Sequence, residues 1–461
     1  MEEDVEGMVF ELGSKCLRFS YAGDDSPRVL IASYCGQPRT GLVHCMPGAD
    51  TNRNCVGYYA DGKHGMLSLC YPIQRGIIED WDDFERLLVH CLYEQLRYAP
   101  VDRAFFMMLS PLNPQSYSLS LSLSLSLFRS TNAHCWTTEK VEKLCELLLE
   151  SYDVPAVGFR SPHMMAPLSV GRPTGLFVDC GAGRTTVTPL YENYVLEHAI
   201  RQVDLGGVDV CGYLQRLLAG ATGRRFTTSS ELLLLESIQQ KMCYVSTTRP
   251  SQPGNDVTPP SWTGDDLSSC KQQTFELPDG TLLDIGDALR QSTEVMFNPS
   301  LMGREPETCP ALPSLILQSV NACPIDCRKD LLQNIHIVGG NCQYPGLLDR
   351  LHTDLAHLLS PSSHLLPRLS SFASASPPSY LHQLPHELLS AISSKVSHHQ
   401  RKRIQAAIQH PSPELASWRG GSVLAGRSFR ELRHLYLTKE EYEEHGCASL
   451  DKVKNWRHRI C

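Results

Sequence analysis

Leu176-Phe177-Val178-Asp179-Cys180-Gly181-Ala182-Gly183 is an apolar run that ends in acid-x-Gly-small, and Met8-Val9-Phe10-Glu11-Leu12-Gly13-Ser14 repeats the pattern near the start of the chain. Each reads as a strand entering a hairpin turn. Glycine in such a turn lets backbone N–H groups approach an anion, and a carboxylate at the strand end can hold a cation or its waters beside it. One acid-x-Gly turn is more often structural than functional. Two of them facing each other would clamp a polyphosphate from both sides. A third turn, Ile335-His336-Ile337-Val338-Gly339-Gly340-Asn341-Cys342-Gln343-Tyr344-Pro345-Gly346, runs from a strand through a double glycine toward a helix, which leaves room for a nucleoside against bare backbone. Tyr344 reads equally as a flat apolar contact for that nucleoside or as core packing.

Around these turns strands alternate with capped helices, the signature of a layered α/β protein. The spacing predicts helices opened by Asp82 with Glu85, by Thr228 with Glu231, and near Thr138, the last placing Val141, Leu144, Cys145 and Leu148 on one face. Glu276-Leu277-Pro278-Asp279-Gly280 predicts a hairpin. Three segments break the pattern and read as insertions: a Ser-Leu repeat within about 115–136, a Pro/Ser/Gly-rich loop at about 249–269, and a Ser/Pro/His-rich loop at about 360–409 that carries Arg401-Lys402-Arg403.

At 461 residues the chain can bury two cores, because single cores stop growing at roughly 250–300 residues. Its 42% hydrophobic and 20% charged residues are an ordinary globular balance, and no run approaches the ~20 apolar residues of a membrane helix. The acidic start Met1-Glu2-Glu3-Asp4 lacks the pattern of a secretory signal, so a reducing compartment is expected. The 18 cysteines then read as free thiols rather than as disulfides or a zinc site. A net charge of -8 argues against a nucleic-acid surface.

The order of the three turns, together with Tyr21-Ala22-Gly23-Asp24-Asp25-Ser26-Pro27-Arg28, Lys241-Met242-Cys243-Tyr244-Val245, Arg328-Lys329-Asp330 and Trp418-Arg419-Gly420-Gly421-Ser422-Val423-Leu424-Ala425, resembles actin and the actin-related proteins over nearly the whole chain outside the insertions. The resemblance implies a two-lobed actin-like ATPase fold, built from duplicated ribonuclease-H-like domains and shared with hexokinase and the large heat-shock chaperones. It implies a cleft between the lobes for ATP or ADP with Mg2+ or Ca2+. The first lobe would comprise 1–169 with 416–461, including a lid at about 33–71, and the second 170–415.

Carried over by position, the resemblance places Gly13, Ser14 and Arg18 in the first phosphate loop, Gly181 and Gly183 in the second, and Gln240, Gly339, Gly340 and Tyr344 around the nucleoside, with Asp179 as the cation anchor. The departures are chemical. Lys15 replaces a glycine and must point away from the phosphates or fold over them, Glu11 replaces an aspartate, and Ala182 replaces the second loop's acid. Gln239 and Gln240 stand for a lysine and a glutamate, and Glu414 for a lysine near the base. The family's water-orienting glutamine falls at Pro162 and its nearby histidine at Thr186, so no catalytic residue is assigned and Glu11, Pro162, Asp179 and Thr186 are degenerate positions. His163 is a candidate substitute only if it is not simply packed. Since phosphoryl transfer depends on positioning and electrostatics, hydrolysis should be lost by orders of magnitude.

The leading expectation is therefore a divergent actin-like protein of the cytoskeleton or a scaffold, cytoplasmic, with nucleotide as a structural ligand. Its partners would be other proteins, cytoskeletal or complex subunits with actin among them, and neither membrane nor nucleic acid. The alternatives are a nuclear actin-related subunit of a chromatin-remodelling complex, favoured only by Arg401-Lys402-Arg403, and an active polymerising ATPase.

Overall fold

The computed structural model describes residues 7–38, 56–57, 67–97, 99–109, 138–247, 274–277, 280–359, 413–427 and 429–446. The Ser-Leu repeat, both further insertions with Arg401-Lys402-Arg403, and most of the lid lie outside them.

Two sheets are built on the same plan. In the first, Gly7–Leu12 pairs antiparallel with Cys16–Tyr21 and parallel with Ala104–Met108. In the second, Gly175–Cys180 pairs antiparallel with Thr185–Tyr191 and parallel with Ile335–Val338. The echo in the sequence is thus an echo in register: Glu11 lies opposite Arg18, and Asp179 opposite Thr186. The first sheet is completed to six strands by Val29–Ala32 on one side and by Ala156–Arg160 and Tyr436–Thr438 on the other. The second reaches five with Tyr194–Val195 and Arg201–Val203.

The central strands are apolar without alternation because both faces of each sheet are covered. Met8, Phe10 and Leu12 join one core with Phe84, Leu87, Leu144 and Leu148, whereas Val9, on the opposite face, packs with Phe106, Met165 and Trp418. Leu176, Val178 and Cys180 face the large second-lobe core, and Phe177 faces Ala166, Val338 and Ala416. The helix pair Pro162–Val170 and Ala416–Ala425 contributes to both of these inner faces, so it forms a waist between the sheets.

Local signals mostly act as expected. Thr228 and Glu231 form a reciprocal capping box on the helix Ser229–Met242, burying Leu235 and Ile238. Thr138–Cys145 is helical and continues as a π-helical turn through Ser151, with Val141, Leu144, Cys145 and Leu148 all buried. Thr274–Glu276 and Leu282–Asp284 pair antiparallel across the expected hairpin. One cap differs: Asp80, not Asp82, caps Trp81–Val89, because its carboxylate accepts from the amides of both Asp82 and Asp83 at 3.1 Å. The described cysteines are free thiols, as expected.

Candidate functional site

The first turn closes only because residue 13 is glycine, since a Cβ there would sit 2.4 Å from the Cys16 carbonyl oxygen. Ser33 Oγ donates to the Gly13 carbonyl at 2.7 Å, and Ser14 Oγ accepts from the Gly76 amide at 2.7 Å. The second turn meets it directly. A Cβ on Gly183 would lie 2.8 Å from Ser14 Oγ and 2.7 Å from Arg75 Cα, so the glycine bends of the two lobes face each other in close contact. The third turn packs behind the second: Asn341 Nδ2 donates to the Gly181 carbonyl at 2.7 Å. Gly339, with φ of +94°, has no room for a side chain because Asp179 Oδ1 and the Cys180 carbonyl occupy that space. Gly340 beside it opens onto free space.

The charged groups around these turns are already matched. Arg18 Nη1 donates to Glu11 Oε2 at 2.8 Å, cross-strand and largely buried. Lys15 reaches across the cleft to Glu236 on the Ser229–Met242 helix at 3.2 Å, so it neither lies over the phosphate position nor turns to solvent. Asp179 is pushed up to about 7, first by burial and then by Glu11, with Arg18 opposing. His163 is buried and pushed down to about 3 by burial and by the Arg184 cation, so it is a packed, neutral residue rather than a poised base. Pro162 is the first residue of its helix and Thr186 is buried in a strand.

The raised Asp179 carboxyl makes a sign-definite prediction. Its folded-state value lies above the ordinary 3.8, so the fold binds the proton more tightly than the unfolded chain. This contribution is fully present below pH 4 and is lost as pH rises through about 7, with a slope of at most about 1.4 kcal/mol per pH unit. Asp179→Asn should therefore match the parent at pH 4 and melt higher at pH 8, as thermal unfolding across that range would register.

At the nucleoside end the two glutamines separate. Gln239 is buried and donates to the Gly207 carbonyl at 2.7 Å and to Tyr344 Oη at 2.6 Å, which also fixes Tyr344 in the second-lobe core. Gln240 instead lines a cavity of about 900 Å³ between the lobes, with Lys15, Arg18, Tyr71, Glu236 and Glu414.

Three ties across the cleft join residues far apart in sequence. Arg75, at φ of +51°, donates through Nη1 to the Gly183 carbonyl at 2.6 Å and the Asp204 carbonyl at 2.9 Å, and through Nη2 to Asp209 at 3.1 Å. Arg304 completes this clasp on Asp209 and the Asp204 carbonyl. The Leu69 amide donates to Ser229 Oγ at 3.1 Å, and Leu233 packs on Tyr34 and Leu67. Lys15–Glu236 is the third.

The backbone cradle of facing glycines fits a phosphate anion. The cation set is thinner, because Glu11 is engaged by Arg18 and residue 182 is alanine, which leaves Asp179. Among the described residues no group of three or more His, Cys, Asp or Glu could hold a metal ion, and no helix is long and apolar enough to cross a membrane. Compared with known families, residues 2–454 match the model described as Actin.

Proposed function

Because the chain belongs to the actin family, we infer that it acts by assembly with other proteins, as a cytoskeletal or scaffolding component, rather than by turning over a nucleotide. The observation that carries this reading is the contrast within one cleft: facing glycine turns survive at Ser14 and Gly183, while Pro162 and Ala182 offer no group to orient water or hold charge. A nucleotide here is a structural ligand. Its phosphates would rest on the backbone of Gly13, Ser14, Gly181 and Gly183 near Arg18, its sugar near Gln240, and its base toward Gly339 and Gly340. A divalent cation, when present, would be anchored at Asp179 and would neutralise the phosphates. The lobes would part at 169/170 and 415/416, beside the waist helices, and the protein would work in the cytoplasmic cytoskeleton.

The test is phosphate release. Purified protein with Mg-ATP should release phosphate no faster than buffer, while pull-down from extract recovers stoichiometric protein partners. Release at the rate of conventional actin overturns this reading, because the groups it needs would then have to come from elsewhere in the cleft.

A further inference from the structure

We propose that Cys35 and Cys70 are a redox-sensitive thiol pair, which a low-molecular-weight disulfide such as oxidised glutathione closes into a cross-strand disulfide. This chemistry needs no nucleotide in the cleft.

Cys35–Pro38 and Leu67–Cys70 pair antiparallel, and Cys35 stands directly opposite Cys70. Opposed residues of an antiparallel pair project from the same face with Cα atoms about 4.5–5.5 Å apart, within the roughly 4.4–6.8 Å that a disulfide spans. The backbone therefore need not move. Among the described strands no other two cysteines are opposed, since Cys16 faces Ala32 and Cys180 faces Thr185. Cys35 is 1% exposed, and its Sγ donates to the Asp83 carbonyl at 3.3 Å, whereas Cys70 is only partly buried. One thiol of the pair is thus reachable and the other is held behind it.

Under reducing conditions both are free thiols, as they are here. Burial first and the Asp83 carboxylate second push both thiols up, Cys35 to about 12, so exchange is slow near neutral pH and quickens in alkali, where the attacking thiolate forms. In the first step the Cys70 thiolate attacks one sulfur of oxidised glutathione, making a mixed disulfide and releasing one glutathione thiolate. Cys35, as its thiolate, then attacks the Cys70 sulfur and releases the second. The two protons lost by the protein thiols pass to the two leaving groups. The protein is oxidised by two electrons and one glutathione disulfide is reduced to two glutathione thiols.

The new rung would lie beside contacts that reach the second lobe. The Leu69 amide donates to Ser229 Oγ, and Leu233 packs on Tyr34 and Leu67. A covalent tie between Cys35 and Cys70 fixes the register of these two strands and restricts residues 36–69 in the unfolded chain. Oxidation should therefore hold the strand pair against the helix Ser229–Met242 and raise stability.

The full chain would be incubated at pH 8 with a small excess of oxidised glutathione, and in parallel with reduced glutathione. Both samples would be quenched with N-ethylmaleimide, unfolded and digested with trypsin. Cleavage after Arg28, Arg39, Lys63 and Arg75 leaves Cys35 alone in residues 29–39 and Cys70 alone in residues 64–75. Mass spectrometry should find these two peptides cross-linked as the main disulfide after oxidation, and only alkylated in the reduced sample. The oxidised parent should melt roughly 3–8 °C higher than the reduced one, a shift that Cys70→Ser abolishes while circular dichroism shows it folded. Recovery of Cys70 as a stable glutathione adduct, of Cys35 joined to Cys91, or of both peptides alkylated after oxidation overturns the proposal. An equal rise in the melting temperature of Cys70→Ser overturns it as well. The peptide map of the parent decides the matter even if the variant does not fold.

Discussion

Arg350→Ala should destabilise the protein by roughly 3–5 kcal/mol, because it strands two buried carboxylates. Arg350 Nη2 and Nη1 meet Glu294 at 2.6 and 3.1 Å, and Nε meets Asp354 at 3.1 Å. Nη1 also donates to the Ser246 carbonyl at 3.1 Å, and the guanidinium lies 4.8 Å above the Phe297 ring. The side chains of all three ionic partners are 6% exposed or less. One cation therefore joins the helix Leu347–Leu358, the helix Ala288–Glu294 and the segment after Met242. A planar fork is what two carboxylates on different helices require, so Arg350→Lys should recover only part of the loss. The decisive measurement is the shift in chemical denaturation between pH 5 and pH 8. The deficit should shrink toward the acid side, where the stranded carboxylates can protonate. A deficit below about 1 kcal/mol at pH 8 would mean that water reaches this triad.

What could be read from residues alone follows from how local each determinant is. The two hairpins were legible because an apolar strand, an acid and a glycine are neighbours in sequence, and their facing arrangement follows once the plan is duplicated. The capping box of Thr228 and Glu231 is legible for the same reason. Asp80 was missed because three acids lie within four residues, at 80, 82 and 83, and only backbone geometry decides which carboxylate meets two free amides. Gln240 was expected in the cleft and lines the cavity, but the inward turn of Gln239 onto Tyr344 was not legible, because its partner lies 105 residues away. The Arg75 clasp lay further out of reach. Its partners are 108 to 134 residues away on the other lobe, and nothing near Arg75 names them. Lys15 shows the same limit: its turn was readable, but its partner Glu236 belongs to a helix brought opposite only by tertiary structure.

The waist between the sheets supplies the other large effect, for it depends on a residue with no side chain at all. Gly420 lies in the middle of Ala416–Ala425, where a Cβ would come 1.7 Å from the Met165 carbonyl oxygen, and the neighbouring Gly421 would meet Met108 Sδ at 2.6 Å. Two helix backbones approach this closely only when one is bare. A side chain at 420 must push the helices apart, and because the obstacle is backbone rather than a flexible side-chain end, no rotamer change relieves it. Overpacking typically costs 1–3 kcal/mol, and Gly420→Val, which meets a fixed carbonyl with three extra carbons, should cost roughly 3 kcal/mol or more. The displacement would also be transmitted. Trp418 and Met165 seal the first sheet's inner face, Ala166 and Ala416 the second's, so moving the pair unseats both cores together. A single cooperative melt at a much lower temperature, with Trp fluorescence and circular dichroism coinciding, is the expected result. If instead the variant melts in two steps, with one lobe unchanged, the waist is not shared and the lobes are held together elsewhere, with the Arg75 clasp the first place to look.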